Sequence, residues 1–478
     1  MRGTPLIQHN AQTGITVEIP DIDAGDLDIA AAMTAMQQLE GGTIANPSEG
    51  RQVGHYWLRD PDLAPSGGSD IRAMQAQVAK LCEAAPTQVL LVGIGGSSLG
   101  PELAIDALAA DPCRFVVLDS VDPAGIAATL RKIDPARTTV IVASKSGRTV
   151  ETRTGLRAVQ AHWAEANRDL SSDAIAITSP GSQLAQLASD WRAVLPVWDW
   201  VGGRTSITSA VGLLPMGLMG IDTQEFLAGA AAMDSWNRQP DSPAIRLATA
   251  WVVHAKHHCV FQPYADQLRH LGRYLQQLIM ESVGKSHTRD GAPIHHGKAV
   301  YGNKGSADQH ALVQQLRDGP DDILVHFIGV RPAPTSSALL MEAADTQFSL
   351  LHGTQRALQE VGRPTVGITL SEISPRTLGA LIALFERTVG LYAELININA
   401  YDQPGVEAGK RAAKDLVLDI ARVTQALSLT PQTSEKIAEA AGLSPQIAWH
   451  ICMHLTSAQR ASRTPGFTPL EDCFSKTE

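Results

Sequence analysis

The chain has 478 residues, 44% of them hydrophobic and 18% charged, which is too long for one ordinary core and too apolar for a disordered chain. Its formal net charge of -10 excludes an extended nucleic-acid or anionic-membrane surface, because affinity for backbone phosphates comes from clustered Lys and Arg. Five cysteines, Cys82, Cys113, Cys259, Cys452 and Cys473, form no C-x-x-C pair and have no His at ligand spacing, so neither a disulfide framework nor a zinc site is expected.

The first ten residues, MRGTPLIQHN, contain no apolar core of the length a secretory signal needs, and the longest apolar runs fall short of a membrane span. The expectation is a soluble, cytoplasmic protein, with a plastid address removed ahead of this N-terminus left open. An N-terminal arm, 1–65, precedes a run of alternating strand and helix patterns. QVLLVGI at 88–94, RFVVLDS at 114–120, TTVIVAS at 138–144 and DAIAITS at 173–179 are nearly continuous in apolar residues, as strands buried on both faces are. They predict a first α/β domain over 66–230. Ser235, Pro240, Asp241, Ser242 and Pro243 mark 229–245 as a linker. DILVHFIGV at 322–330 and TVGITL at 365–370 belong to a second α/β domain over 245–425. A helical tail, 426–478, follows, with TSEKIAEAAGL and a second helix that Ser444 caps and Pro445 begins. The few basic residues there argue against a DNA-reading helix pair.

Candidate chemistry sits where strands give way to helices. Gly93 to Gly100, GIGGSSLG, leaves a predicted strand with glycines where backbone must approach a ligand, placing N–H groups and the hydroxyls of Ser97 and Ser98 at a helix start. The spacing is neither the dinucleotide fingerprint nor the P-loop, and by itself fits a tight βα turn equally well. Ser144-Lys145-Ser146-Gly147-Arg148-Thr149 repeats the arrangement, with three hydroxyls and two cations able to wrap one phosphate. Both junctions follow carboxyl ends of strands, where open α/β sheets bind ligands. Gly202-Gly203-Arg204 projects a permanently charged guanidinium from a close-packed loop.

Further along, Leu268, Leu271, Leu275, Leu278 and Ile279 predict an amphipathic helix over 265–282, with Glu281 in its last turn and Gln277 one turn earlier on the same face. A carboxylate at the negative end of a helix dipole is a candidate general base. His310 is expected at or near the first turn of a helix, a position that disfavours a charged imidazole. Lys410 is expected on the inward face of a helix that begins near Pro404.

These segments resemble the glucose-6-phosphate isomerase (phosphoglucose isomerase) family: GIGGSSLGP, SKSGRTVET, MESVGK, GSADQH and AYDQPGVEAGK occur in family order, and the likeness begins at GHYWLR, 54–59. The resemblance implies two SIS-type α/β domains with parallel sheets flanked by helices. It also implies aldose–ketose interconversion of glucose 6-phosphate and fructose 6-phosphate, in glycolysis and gluconeogenesis, through a cis-enediolate and without metal or redox cofactor. Gly96, Ser97, Ser144, Lys145, Ser146 and Thr149 would hold the sugar phosphate. Gln277 and Gln403 would contact the sugar. Glu281 would shuttle the proton between C2 and C1, Arg204 would stabilise the enediolate, and His310 and Lys410 would assist ring opening. The resemblance further implies a homodimer that shares its active sites, with His310 coming from the partner. Thr205, Val283 and the SKSGRT loop depart from the commonest pattern, which leaves mannose 6-phosphate open as a second substrate. A non-catalytic sugar-phosphate regulator would need the phosphate loops but not Glu281, His310 and Lys410 together.

Overall fold

Alternation opens the chain as a hairpin: β1 (Leu6–Asn10) pairs antiparallel with β2 (Ile15–Ile19), whose Ile15, Val17 and Ile19 are buried. The structure is a computed structural model that describes residues 6–20, 22–43, 45–46, 48–84 and 86–477, the side chains of Ala45, Glu407, Lys410 and Arg411 lying outside the described residues. The chain divides into two units, Met1–Asp402 and Gln403–Glu478.

Within the first unit a short hairpin, β3 (Ala45–Asn46) with β4 (Arg51–Gln52), follows the first helix. Then comes a five-stranded parallel sheet: β5 (Gln88–Val92), β6 (Phe115–Leu118), β7 (Thr138–Ala143), β8 (Ala174–Thr178) and β9 (Ala193–Pro196). All six residues of β7 and all five of β8 are buried, as expected for strands covered by helices on both faces. The order β6-β5-β7-β8-β9 makes the chain leave β5 to one side and return on the other. The crevice at that reversal, between the loops after β5 and β7, is where such sheets accept ligands.

The second sheet repeats the plan. β10 (His258–Pro263), β11 (Ala299–Tyr301), β12 (Ile323–Val330) and β13 (Thr365–Leu370) are parallel, and β2 and β1 extend the sheet antiparallel beyond β13, in the order β1-β2-β13-β12-β10-β11. The N-terminal arm is therefore part of this sheet. Helix Pro375–Leu395 is buried from Thr377 through Ala393, the charged Glu386 and Arg387 included. It packs on helices Thr223–Asn237, Pro243–Val253 and Ile29–Glu40.

Residues 229–245, expected as a linker, are mostly helical. Helix Thr223–Asn237 runs through Gly229, and Ser242, accepting from the Ile245 N–H, caps a helix that starts at Pro243. The Pro and Ser signals thus mark a short helix-to-helix turn. In the second unit, helices Pro404–Ala426, Ser434–Ala441 and Pro445–Ser457 are joined by a three-stranded antiparallel sheet, β14 (Gln432–Thr433), β15 (Ala461–Thr464) and β16 (Cys473–Lys476), which the helical reading of the tail did not contain. Trp449, Arg463 and the Gly466 N–H all donate to Asp472, holding its carboxyl at about 2.

Candidate active site

The loop after β5 turns through a 3-10 segment, Gly95–Ser97, before helix Leu99–Leu108. Gly96 has to be glycine for a steric reason: a Cβ there would meet Gly203 O at 2.1 Å. Ser206 reinforces that approach by donating to Gly96 O at 3.0 Å and Gly203 O at 2.7 Å. The loop bearing Arg204 is thus pressed against the first predicted phosphate loop. Ser98 is buried and donates back to Gly95 O, whereas Ser97 is half-buried. Of the two hydroxyls, Ser97 is the one open to a ligand.

The loop after β7 is ordered by its own hydroxyls. Ser144 Oγ accepts from the Gly147 N–H at 3.1 Å and lies 3.3 Å from Thr149 Oγ1, while Ser146 Oγ accepts from the Arg148 N–H. Thr149 is the N-cap of helix Val150–Glu165. This loop therefore offers hydroxyls and N–H groups at a positive helix end. The Lys145 ammonium donates to Asp199 O at 2.8 Å and Val201 O at 3.2 Å. Burial and the nearby Arg51 charge lower its pKa against the opposing pull of Asp199.

From the second sheet, the segment expected as one helix over 265–282 is a composite. A 3-10 turn, Asp266–Leu268, precedes α-helix Leu271–Leu275, a π turn Gln276–Met280 and a last α turn Glu281–Val283. Widened turns of this kind recur at functional sites. Here the Gln277 amide donates to Glu281 Oε1 at 3.3 Å and also lies beside the first loop, 3.1 Å from where a Gly95 Cβ would be.

Arg204 meets this helix from the other sheet's loop. Its Nη1 donates to Glu281 Oε2 at 3.1 Å, its Nε to Ser282 Oγ at 2.8 Å, and its Nη2 to Ala400 O at 2.6 Å and Asp402 O at 3.0 Å. The Arg204 side chain is only 5% exposed, against 31% for that of Glu281. The pair therefore presents its carboxylate side to solvent. Burial lowers the Arg204 pKa, and the Glu281 charge counters it. Chemically, this arrangement sets a solvent-accessible carboxylate, able to act as a base, beside a fixed cation, with an amide between the carboxylate and the glycine-rich loop after β5.

A family model described as phosphoglucose isomerase matches residues 26–347 and 341–436. The chain belongs to the phosphoglucose isomerase family. The glucose-6-phosphate isomerase of Synechococcus sp. (strain JA-3-3Ab) is 46% identical to it over 449 residues, 85% of this chain and 84% of that protein. The chloroplastic glucose-6-phosphate isomerase 1 of Arabidopsis thaliana is 43% identical over 474 residues, 90% of this chain and 77% of that protein. Among solved structures, a glucose-6-phosphate isomerase from Chlamydia trachomatis D/UW-3/Cx superposes with a TM-score of 0.79 at 26% identity, over 86% of this chain and 89% of that one. A tagatose-6-phosphate ketose/aldose isomerase from Escherichia coli, at 14% identity and a TM-score of 0.50, shares the fold alone.

In this member of the phosphoglucose isomerase family, the structure brings Gly96, Arg204, Gln277 and Glu281 together, with Ser97 in the same loop as Gly96. His310 is elsewhere in the local geometry from where its sequence suggested. It is exposed at the C-cap of the short helix Gly305–Gln309, ahead of helix Val313–Asp318 and not within its first turn. Gln403 is the N-cap of helix Pro404–Ala426 in the second unit, and the Lys410 side chain lies outside the described residues. Among the described residues no helix is long and apolar enough to cross a membrane.

Two residues at the site went unassigned in the sequence. The Lys285 ammonium donates to Glu281 O and Asp402 O, both at 2.8 Å, and pairs with Asp402 Oδ1 at 3.3 Å. Burial lowers its pKa, opposed chiefly by the Asp402 charge. Lys285 ends the MESVGK motif and Asp402 lies inside AYDQPGVEAGK, so membership in those runs was the available signal.

Proposed function

We infer that this chain catalyses the aldose–ketose interconversion of glucose 6-phosphate and fructose 6-phosphate. The observation that carries the reading is the Arg204–Glu281 pair at 3.1 Å, set beside the loop after β5 in a chain of this family. Moving a proton between C2 and C1 of the open sugar needs a carboxylate next to the carbon acid and fixed positive charge where the enediolate oxygens form. In this reading Glu281 takes the proton from C2, holds it, and returns it to C1. Arg204, already fixed by Ser282, Ala400 and Asp402, meets the developing negative charge without reorganising. Ser97, Ser144, Lys145, Ser146 and Thr149, with the backbone at Gly96, hold the phosphate. Gln277 orients the sugar hydroxyls. His310, Gln403 and Lys410 take the ring-opening and binding roles that the family likeness assigns.

The reading extends to a cytoplasmic homodimer in which His310 serves the partner's site. Mixing dissociated Glu281→Ala and His310→Ala chains tests that extension: about half of randomly reassociated dimers are hybrid, so about a quarter of all sites regain both groups. Persistent inactivity of confirmed hybrids would remove the shared site and leave the isomerase reading intact. The isomerase reading is tested by turnover of the purified protein on fructose 6-phosphate and, separately, mannose 6-phosphate, with and without a chelator. Conversion of fructose 6-phosphate to glucose 6-phosphate, undiminished by chelator, is the expected result. Binding of either sugar without turnover would favour a regulator instead.

A further inference from the structure

Arg204 owes its position to a segment that has no reacting group of its own. Its Nη2 donates to two carbonyls, Ala400 O and Asp402 O, and where those oxygens point depends on how residues 399–402 are held. The holding contacts come from the β3–β4 hairpin, from the segment itself and from Lys285. Asn46 Nδ2 and Arg51 Nη2 both donate to Tyr401 O, at 2.9 and 2.8 Å. Asn399 Oδ1 accepts from the Tyr401 N–H at 3.0 Å, and its amide donates to Asn46 Oδ1 at 2.7 Å and Asp402 Oδ2 at 3.0 Å. Ser48 Oγ donates to the same Asp402 Oδ2. The Asp402 side chain is thereby fixed by Ser48 and Asn399 on one oxygen and by Lys285 at 3.3 Å on the other, while its carbonyl faces Arg204 and Lys285 together.

A surface loop needs no such number of convergent bonds to stay folded, and here they converge on residues 399–402, whose Ala400 and Asp402 carbonyls accept from the guanidinium that pairs with Glu281. We propose that Asp402 is a positioning residue, which, held by Ser48, Asn399 and Lys285, aims Arg204 at the charge that develops during isomerisation. This deepens the reading above and rests on it. An arginine aimed by a rigid carbonyl cradle acts in the transition state more than in ground-state binding, so loss of aim reduces kcat and leaves KM nearly unchanged.

The test is a double-mutant cycle on fructose 6-phosphate with Asp402→Ala and Arg204→Ala, with Tm measured for every variant. We expect Asp402→Ala to lower kcat at least about tenfold with KM within about threefold, and to lower it less than about twofold further when Arg204 is already alanine, since residues acting through one another are not additive. Ser48→Ala, at an exposed position, removes one of the bonds and is expected to lower kcat about threefold, again only when Arg204 is present. Full additivity with Arg204→Ala, or a lower Tm at unchanged kcat, would overturn the proposal. If Asp402→Ala fails to fold, Ser48→Ala decides by the same two criteria. An inactive parent would overturn the isomerase reading and this inference together, whereas an active parent with additive losses overturns this inference alone.

Discussion

Glu281 accepts from two side chains, the Gln277 amide and the Arg204 guanidinium, and it is the more exposed member of its ion pair. Glu281→Gln keeps the size and most of the polar contacts while removing the proposed base. We expect isomerisation to fall about 10²–10⁴-fold, the usual contribution of a general base, with a phosphorylated competitive inhibitor still binding within about threefold because the loops proposed to hold the phosphate follow β5 and β7. Steady-state rates and calorimetric titration decide this, and turnover within about tenfold of the parent would exclude Glu281 as the base. At this scale the sequence was informative about residues with a chemical motive. A glutamate in a last helical turn and an arginine after Gly-Gly are each unremarkable singly, and become candidates through their neighbours. Asp402 and Lys285 were not legible, because a residue that works through carbonyl oxygens leaves no pattern in side-chain spacing.

Between elements, the contact that organises the site is the one between Gly96 and Gly203. Gly96→Ala puts a methyl against a backbone oxygen, so the loop bearing Arg204 has to move. Displacements of about 1 Å in a catalytic group can cost on the order of 100-fold, and we expect kcat/KM to fall by about that factor while stability falls by about 1–3 kcal/mol, as for overpacking. Activity assays alongside urea denaturation would show both, and unchanged kcat/KM would mean the loop contact does not place Arg204. The parallel strands β5, β7, β8, β12 and β13 were legible because burial on both faces leaves continuous apolar runs. β10, with the sequence HCVFQP, was missed since His258 and Gln262 leave only Cys259, Val260 and Phe261 as its continuous apolar run. The π turn at Gln276–Met280 was hidden for a different reason: it alters backbone hydrogen bonding while leaving the apolar spacing compatible with an ordinary helix. His310 precedes the helix Val313–Asp318 because GSADQ closes its own short helix before the longer apolar pattern begins.

Across the first unit, buried charges tie the helices together. Arg59 pairs with Asp234 and Glu386, Arg387 with Glu40 and Asp234, and Arg238 with Glu40. The GHYWLR motif ends in this network, which makes its Arg59 structural. Removing one partner leaves uncompensated buried charge, so Arg387→Met is expected to lower unfolding free energy by about 3–5 kcal/mol, read from denaturant midpoints. A loss under about 1 kcal/mol would show that the network relaxes. Burial pushes the Glu40 carboxyl up, yet Arg387 and Arg238 together hold it below its ordinary 4.5. A depressed folded-state pKa contributes stability above 4.5 that disappears as pH falls through the lower folded value. Thermal melts of the parent should therefore lose stability progressively on acidification below about pH 4.5, and the Arg387→Met variant should show a shallower decline.

The antiparallel pairing of β2 with β13 also bears on how the chain is made. Glu18 faces Gly367, so β2, once it leaves the ribosome, waits for a partner about 350 positions behind it. At typical elongation rates of about 5–20 residues per second, that interval is roughly 20–70 seconds. For that time the β1–β2 hairpin has an open edge on β2, with Ile15, Val17 and Ile19 uncovered, and nascent-chain chaperones have their clearest opportunity there. Completion of the second sheet is thus a late event in synthesis, timed by the arrival of β13.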